Sequence, residues 1–201
     1  GKYYIFYHRH TNRSSYARQA CAEELVMDEN GMFRQAEMTS CGLNGGPLRG
    51  IGTYPARIAC NLWSKDGTGR YDCKNPKKAF ADHPYFTQDK KDGDESARQY
   101  IANMRDGAVT GFKYFEIQHL KYISVDINGK AKGTIYISTD RDFEKIIANI
   151  EIDINGGRKE MGDVICRLKS GTYPLYFKFH GSGMFDFFSF ELGRESLRNP
   201  A

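Results

Sequence analysis

The sequence predicts an all-β protein, a jelly-roll-like β-sandwich preceded by an incomplete β-propeller blade. Aromatics are abundant, with 13 Tyr and 13 Phe beside 21 Gly and only 6 Pro. Rings pack well on pleated surfaces, and glycines punctuate short strands. Strand-length segments separated by turn residues recur across the second half of the chain at the spacing a sandwich requires.

The elements follow in order. Lys2–Tyr7 (KYYIFY) is aromatic and β-branched, as expected of a buried strand. Ala17–Val26 is a second extended segment, and Asp28-Glu29-Asn30-Gly31 is a tight-turn signal. Phe33–Thr39 alternates in a way that predicts a third strand. Three antiparallel strands with short connections resemble one propeller blade. They cannot enclose a core alone, so residues 1–63 are expected to need neighbours. Residues 64–76 turn polar, with Gly67, Gly69 and Pro76, and are expected to be a linker. The sandwich is placed at 77–192 and a tail at 193–201. Within the sandwich, Tyr100–Met104 reads as a strand or a helical turn. Phe112–Ile117 and Tyr122–Ile127 are strands, and Asn128-Gly129 is a hairpin signal. Thr134–Ser138, Ile146–Ile154, Val164–Leu168, Leu175–Phe179 and Phe185–Leu192 complete the set.

Several function classes fall away. The net charge is +4, and basic residues such as Lys74, Lys77, Lys78, Lys90 and Lys91 alternate with aspartates. That is a solvated surface, not a nucleic-acid footprint. No apolar run is long enough for a membrane-spanning helix. The five cysteines are odd in number and lack C-x-x-C spacing, so they read as reduced thiols, neither a disulfide framework nor a zinc site. Gly1 leads directly into a strand-like run, so the chain is expected to start within a domain, and its compartment is left open. The nucleophile-elbow, zincin, P-loop and dinucleotide fingerprints are missing. The glycine-rich GLNGGPLRGIG stretch follows no clear strand and opens no helix, unlike a phosphate loop. Asp92, Asp94 and Glu95 crowd together in a Gly-containing stretch, which reads as a solvated loop rather than an acid/base pair.

Two blocks carry a resemblance. KYYIFYHRHTNRSSYARQACAEEL followed by DENGMFRQAEMTS is similar to the last propeller blade of family 43 glycoside hydrolases. PYFTQDKKDGDESARQYIANMRDGAVTGFKYFEI with LYFKFHGSGMFDFFSFEL is similar to the accessory sandwich that follows such propellers, itself similar to carbohydrate-binding module family 6.

The resemblance implies a five-bladed propeller that hydrolyses arabinofuranosides or xylosides of plant hemicellulose with inversion. Inversion needs one carboxylic acid to protonate the leaving group and one carboxylate to activate water. In the family these come from earlier blades, so the chain alone is expected to lack them and to be inactive. The matching position for a sugar-contacting arginine is Arg18, and His8 borders the same pocket. A guanidinium suits that task because its planar fork of donors holds hydroxyls. For the sandwich, the resemblance implies a stacking aromatic at Phe112 or Tyr114 and a polar contact at Asp186. These rings read better as core, which would make the sandwich chiefly a structural companion. Where the family carries a second stacking tryptophan, this chain has Gly156-Gly157-Arg158-Lys159. A structural calcium is implied between the first and last strands, with Asp82 and Asp186 as its candidate ligands. The partners implied are a plant polysaccharide or oligosaccharide. The first block is expected to pack on the sandwich, on another copy, or on a missing N-terminal propeller fragment. A freestanding carbohydrate-binding or structural sandwich protein is the alternative.

Overall fold

The computed structural model describes residues 1–12, 16–67, 82–164 and 168–194. All regular elements longer than a single turn are strands. β1 (Tyr3–His10) and β2 (Arg18–Leu25) form an antiparallel hairpin with Tyr3 opposite Leu25 and His10 opposite Arg18. The predicted third strand does not form. Phe33 makes one isolated bridge to Met27, and the following residues run as an extended connection. Their side chains are committed elsewhere: Thr39 to Glu23, Glu37 to Lys113 and Tyr114.

Three short strands follow: β3 (Leu48–Arg49), β4 (Gly52–Pro55) and β5 (Asn61–Trp63). The sandwich strands proper are β6 (Tyr85–Gln88), β7 (Gln99–Met104), β8 (Val109–Ile117), β9 (Tyr122–Ser138), β10 (Ile146–Asp163) and β11 (Gly171–Gly193). Pairing divides the chain elsewhere than composition does. β3 and β5 pair with β8, and β4 pairs with β11, so residues 48–63 belong to the large sheet rather than to the blade. They fill otherwise open strand edges, and Ala56 and Ala59 between them are fully buried in the core. Most of the predicted linker lies outside the described residues.

Two predicted pairs of strands are single long ones, β9 and β11. Asn128-Gly129 is no hairpin: it lies inside β9, opposite Asp186 and Phe185 of β11. The glycines serve close approach instead. A Cβ on Gly133 would meet the His180 carbonyl oxygen at 2.2 Å, and one on Gly181 would meet that of Lys132 at 2.3 Å. β9 and β11 therefore bend together here, and the two halves of β11 take different partners. Residues 171–178 pair with β8, whereas 185–192 pair with β7 and β4.

The bend brings one strand onto itself around a phenylalanine core. Phe177 and Phe190, both on β11, have ring centroids 5.1 Å apart. Phe112 of β8 meets Phe190 at 4.6 Å and Phe177 edge-on at 5.6 Å. Phe115, Phe179, Phe187 and Ile101 are equally enclosed. Cys21, Cys41 and Cys60 carry free thiols; Cys73 and Cys166 lie outside the described residues.

The hairpin docks on the sandwich through polar contacts. Arg9 donates to the carbonyls of Ala59 and Arg57, and its guanidinium lies 3.8 Å over the Phe86 ring. Thr87 Oγ1 donates to Asn12 at 2.8 Å, and Lys113 Nζ pairs with Glu37 at 2.8 Å. Of the three arrangements expected for the first block, the structure shows packing on the sandwich.

Candidate functional site

Two bulges meet on the sheet face turned away from the core. In β7, Ala102 and Asn103 fall between the residues that face Phe185 and Phe187, leaving two against Asp186 alone. Asn103 adopts φ 67, a conformation asparagine tolerates better than most residues. Its backbone N–H donates to the Asp186 carboxylate. In β11, Phe188 is an extra residue between Phe187, opposite Ile127, and Ser189, opposite Asp126.

The bulges set Phe188 against Tyr100, with ring centroids 4.6 Å apart and planes at 36°. The Arg98 guanidinium covers the Phe188 ring at 4.0 Å and reaches Asp126 at 2.5 Å. Burial pushes the Tyr100 hydroxyl above its usual value, and the neighbouring Asp186, Tyr85 and Asp89 add to the effect. Burial likewise raises Asp186, opposed by the Asn103 N–H. A half-buried ring flanked by a carboxyl and a guanidinium suits a ligand with one apolar face and a rim of hydroxyls.

The residues expected from the sequence are distributed differently. Asp186 belongs to this face. Phe112 does not: it is fully buried, so no ligand stacks on it. The cause is a bulge in β8, where Lys113 and Tyr114 stand opposite Pro174 alone. Strict alternation breaks there, and Phe112 and Phe115 both face the core. Tyr114 is half-buried, and its hydroxyl donates to Glu37 at 2.9 Å, binding it into the seam with the hairpin. The Gly156-Gly157-Arg158-Lys159 segment is no loop; its backbone continues β10. The side chains of Arg158 and Lys159 are outside the description.

The two acids expected to hold calcium are each engaged by groups of the chain itself. Asp82 carries the Arg105 guanidinium at 3.5 Å, a cation of the chain's own. No group of three or more acidic, histidine or cysteine side chains suited to a metal occurs among the described residues. Asp186 is engaged by Asn103 instead.

On the hairpin, Arg18 stands opposite His10, and His8 opposite Ala20, so Arg18 and His8 share one face. His8 and His10 stack at 6.3 Å. Arg18 and His8 are exposed. The other face is anchored: Glu23, buried, accepts hydrogen bonds from the Tyr7 hydroxyl at 3.0 Å and from the Thr39 N–H and hydroxyl at 2.8 and 2.7 Å. Burial and then the Glu23 carboxylate raise the Tyr7 hydroxyl strongly.

Sequence reasoning missed Tyr100, Phe188 and Arg98. The one available signal was Phe187-Phe188, where alternation sends one ring to the core and the next outward.

No family model matches the chain. A curated relative named xylosidase/arabinosidase, from Thermoclostridium stercorarium, is 40% identical over 194 residues, covering 96% of this chain and 40% of the relative. Among solved structures, a family 43 arabinoxylan arabinofuranohydrolase from Bacillus subtilis matches with a TM-score of 0.57 at 14% identity, over 96% of this chain and 38% of its own. The chain is similar to the C-terminal part of a family 43 glycoside hydrolase. It spans about two fifths of the length of the curated relative it matches. The sandwich has the fold of family 6 carbohydrate-binding modules. A β-1,3-glucan-binding module from Bacillus halodurans matches over 98% of itself and 73% of this chain, with a TM-score of 0.55 at 14% identity.

Proposed function

We propose that this chain is the glycan-holding C-terminal portion of a glycoside hydrolase that acts on arabinofuranosides or xylosides of plant hemicellulose. The catalytic carboxylates are supplied from outside residues 1–201. The observation that carries this reading is the 40% identity, across 96% of the chain, to a protein named xylosidase/arabinosidase.

The hairpin supports it. Large apolar side chains on the first block face solvent, among them Phe6 at 68% exposure, Met32 at 66% and Leu43 at 62%. A sheet of two strands among the described residues, with exposed apolar side chains, is what a blade apart from its neighbours would present. In this reading Arg18 and His8 face the sugar once further blades close the pocket. Glu23, held by three donors, acts as an anchor and not as an acid or base.

In the sandwich, Tyr100 offers its ring to a sugar face, and Asp186 accepts from hydroxyls. A non-catalytic binding protein is the second reading, favoured by the near-complete match of a freestanding module. Retention of the whole chain on insoluble arabinoxylan tests the shared claim. Tyr100→Ala is expected to weaken it about tenfold, the loss of roughly 1.4 kcal/mol of ring contact. Undiminished retention would overturn the assignment of this face.

A further inference from the structure

β11 changes partner at its Phe188 bulge, from β7 on one side of the bulge to β4 on the other. Where β7 and β4 part, a cleft of about 610 Å³ opens. One wall is the segment that connects the hairpin to the sandwich, with Thr53, Pro55 and Arg57. The other is the β6–β7 connection, with Glu95 and Arg98, and Phe188 lies between them. The cleft therefore shares Phe188 and Arg98 with the Tyr100 face and continues it. The segment that forms its first wall belongs to the large sheet through the pairing of β4 with β11.

The cleft holds unspent polar capacity. Arg57 lends its backbone carbonyl to Arg9, but its guanidinium has no partner among the described residues. The Glu95 carboxylate has none there either. These opposite charges line one cleft without forming an ion pair with each other. The amide nitrogens of Gln88 and Gln99 donate to the Lys90 and Lys91 carbonyls and to Thr11 respectively, so their carbonyl oxygens are the groups turned to acceptance. A guanidinium that donates, facing a carboxylate and amides that accept, reads the vicinal hydroxyls of a sugar, each of which does both.

We infer that this cleft is an additional subsite, which takes a neutral glycosyl unit of the same glycan chain that lies on Tyr100. The inference rests on the carbohydrate reading of that face. It predicts that the chain prefers longer oligosaccharides, because the second unit is bound only when the ligand extends past Phe188.

Calorimetric titration of the whole chain with xylo-oligosaccharides of two to six units tests it, with Arg57→Ala/Glu95→Gln and Tyr100→Ala variants alongside. Wild type is expected to bind the longest ligand about tenfold more tightly than the shortest, which is about 1.4 kcal/mol. The double variant is expected to lose that length dependence while binding the shortest ligand as wild type does. Tyr100→Ala is expected to weaken all lengths alike. A double variant that keeps the length dependence overturns the subsite and leaves the Tyr100 face standing. A wild type that binds none of the ligands overturns both. Circular dichroism of the variants confirms that each result comes from a folded chain.

Discussion

Replacing Arg9 by Met is expected to loosen the hairpin from the sandwich without unfolding the sandwich. Arg9 spans the seam, donating to the Ala59 and Arg57 carbonyls and lying 3.8 Å over Phe86. It also holds Gln19 within the hairpin, at 2.9 and 3.2 Å. Burial pulls its guanidinium below the usual arginine value, so part of its interaction energy offsets the cost of desolvation. Two hydrogen bonds from a charged donor contribute roughly 3 kcal/mol. The cation–π contact adds about 0.5–1 kcal/mol. Methionine keeps the apolar stem and relieves the buried charge, which returns about half of that sum. The net loss is about 2 kcal/mol, or roughly 30-fold in the opening equilibrium. Native-state hydrogen exchange reads this directly: amides of β1 and β2 should exchange about 30-fold faster while β8, β9 and β11 keep their protection. Unchanged exchange in the hairpin would refute the clamp. Equal acceleration throughout would show that hairpin and sandwich open as one unit.

Three further outcomes follow from the same geometry. A chain beginning at Gly46 should unfold cooperatively and at higher denaturant than one beginning at Asn75, because the latter loses β3, β4, β5 and the buried Ala56 and Ala59; equal midpoints would contradict the pairing. Phe112→Ala should cost about 3–5 kcal/mol in denaturant melts while leaving the affinity of the folded fraction for glycan intact; selective loss of affinity would restore Phe112 to the site. Burial raises the Asp186 carboxyl above its unfolded value, so the stability it contributes is present at acid pH and lost as pH rises through the folded value. Asp186→Asn should therefore raise the melting temperature at pH 7, with the difference shrinking as pH falls toward the unfolded value of 3.8; a constant difference would contradict this.

The sequence announced the strands more clearly than their connections. KYYIFY and the Phe-rich segments are apolar enough to name strands anywhere. Asn128-Gly129 misled because glycine answers two different demands, a tight turn and a close approach of two backbones, and only the pairing of β9 with β11 tells them apart. β3, β4 and β5, at two to four residues each, are too short to carry a period. Phe33–Thr39 has the period but no partner strand, since Glu37 and Thr39 are drawn to Lys113 and Glu23. The site shows the same division. Asp186 was legible because its place in the last strand is a matter of sequence. Tyr100, Phe188 and Arg98 were not, because three bulges, in β7, β8 and β11, decide which rings face outward, and a bulge is a property of two strands together.

Under the proposed function, residues 1–201 hold a hemicellulose chain without cleaving it. Calorimetric titration with xylohexaose, followed by chromatography of the recovered sugar, tests both halves in one sample. The account predicts a saturable heat of binding and the hexaose recovered intact. Shortened oligosaccharides whose appearance is abolished by Glu23→Gln would contradict it by placing a catalytic carboxylate in this chain, and a titration without binding heat would contradict the carbohydrate reading itself.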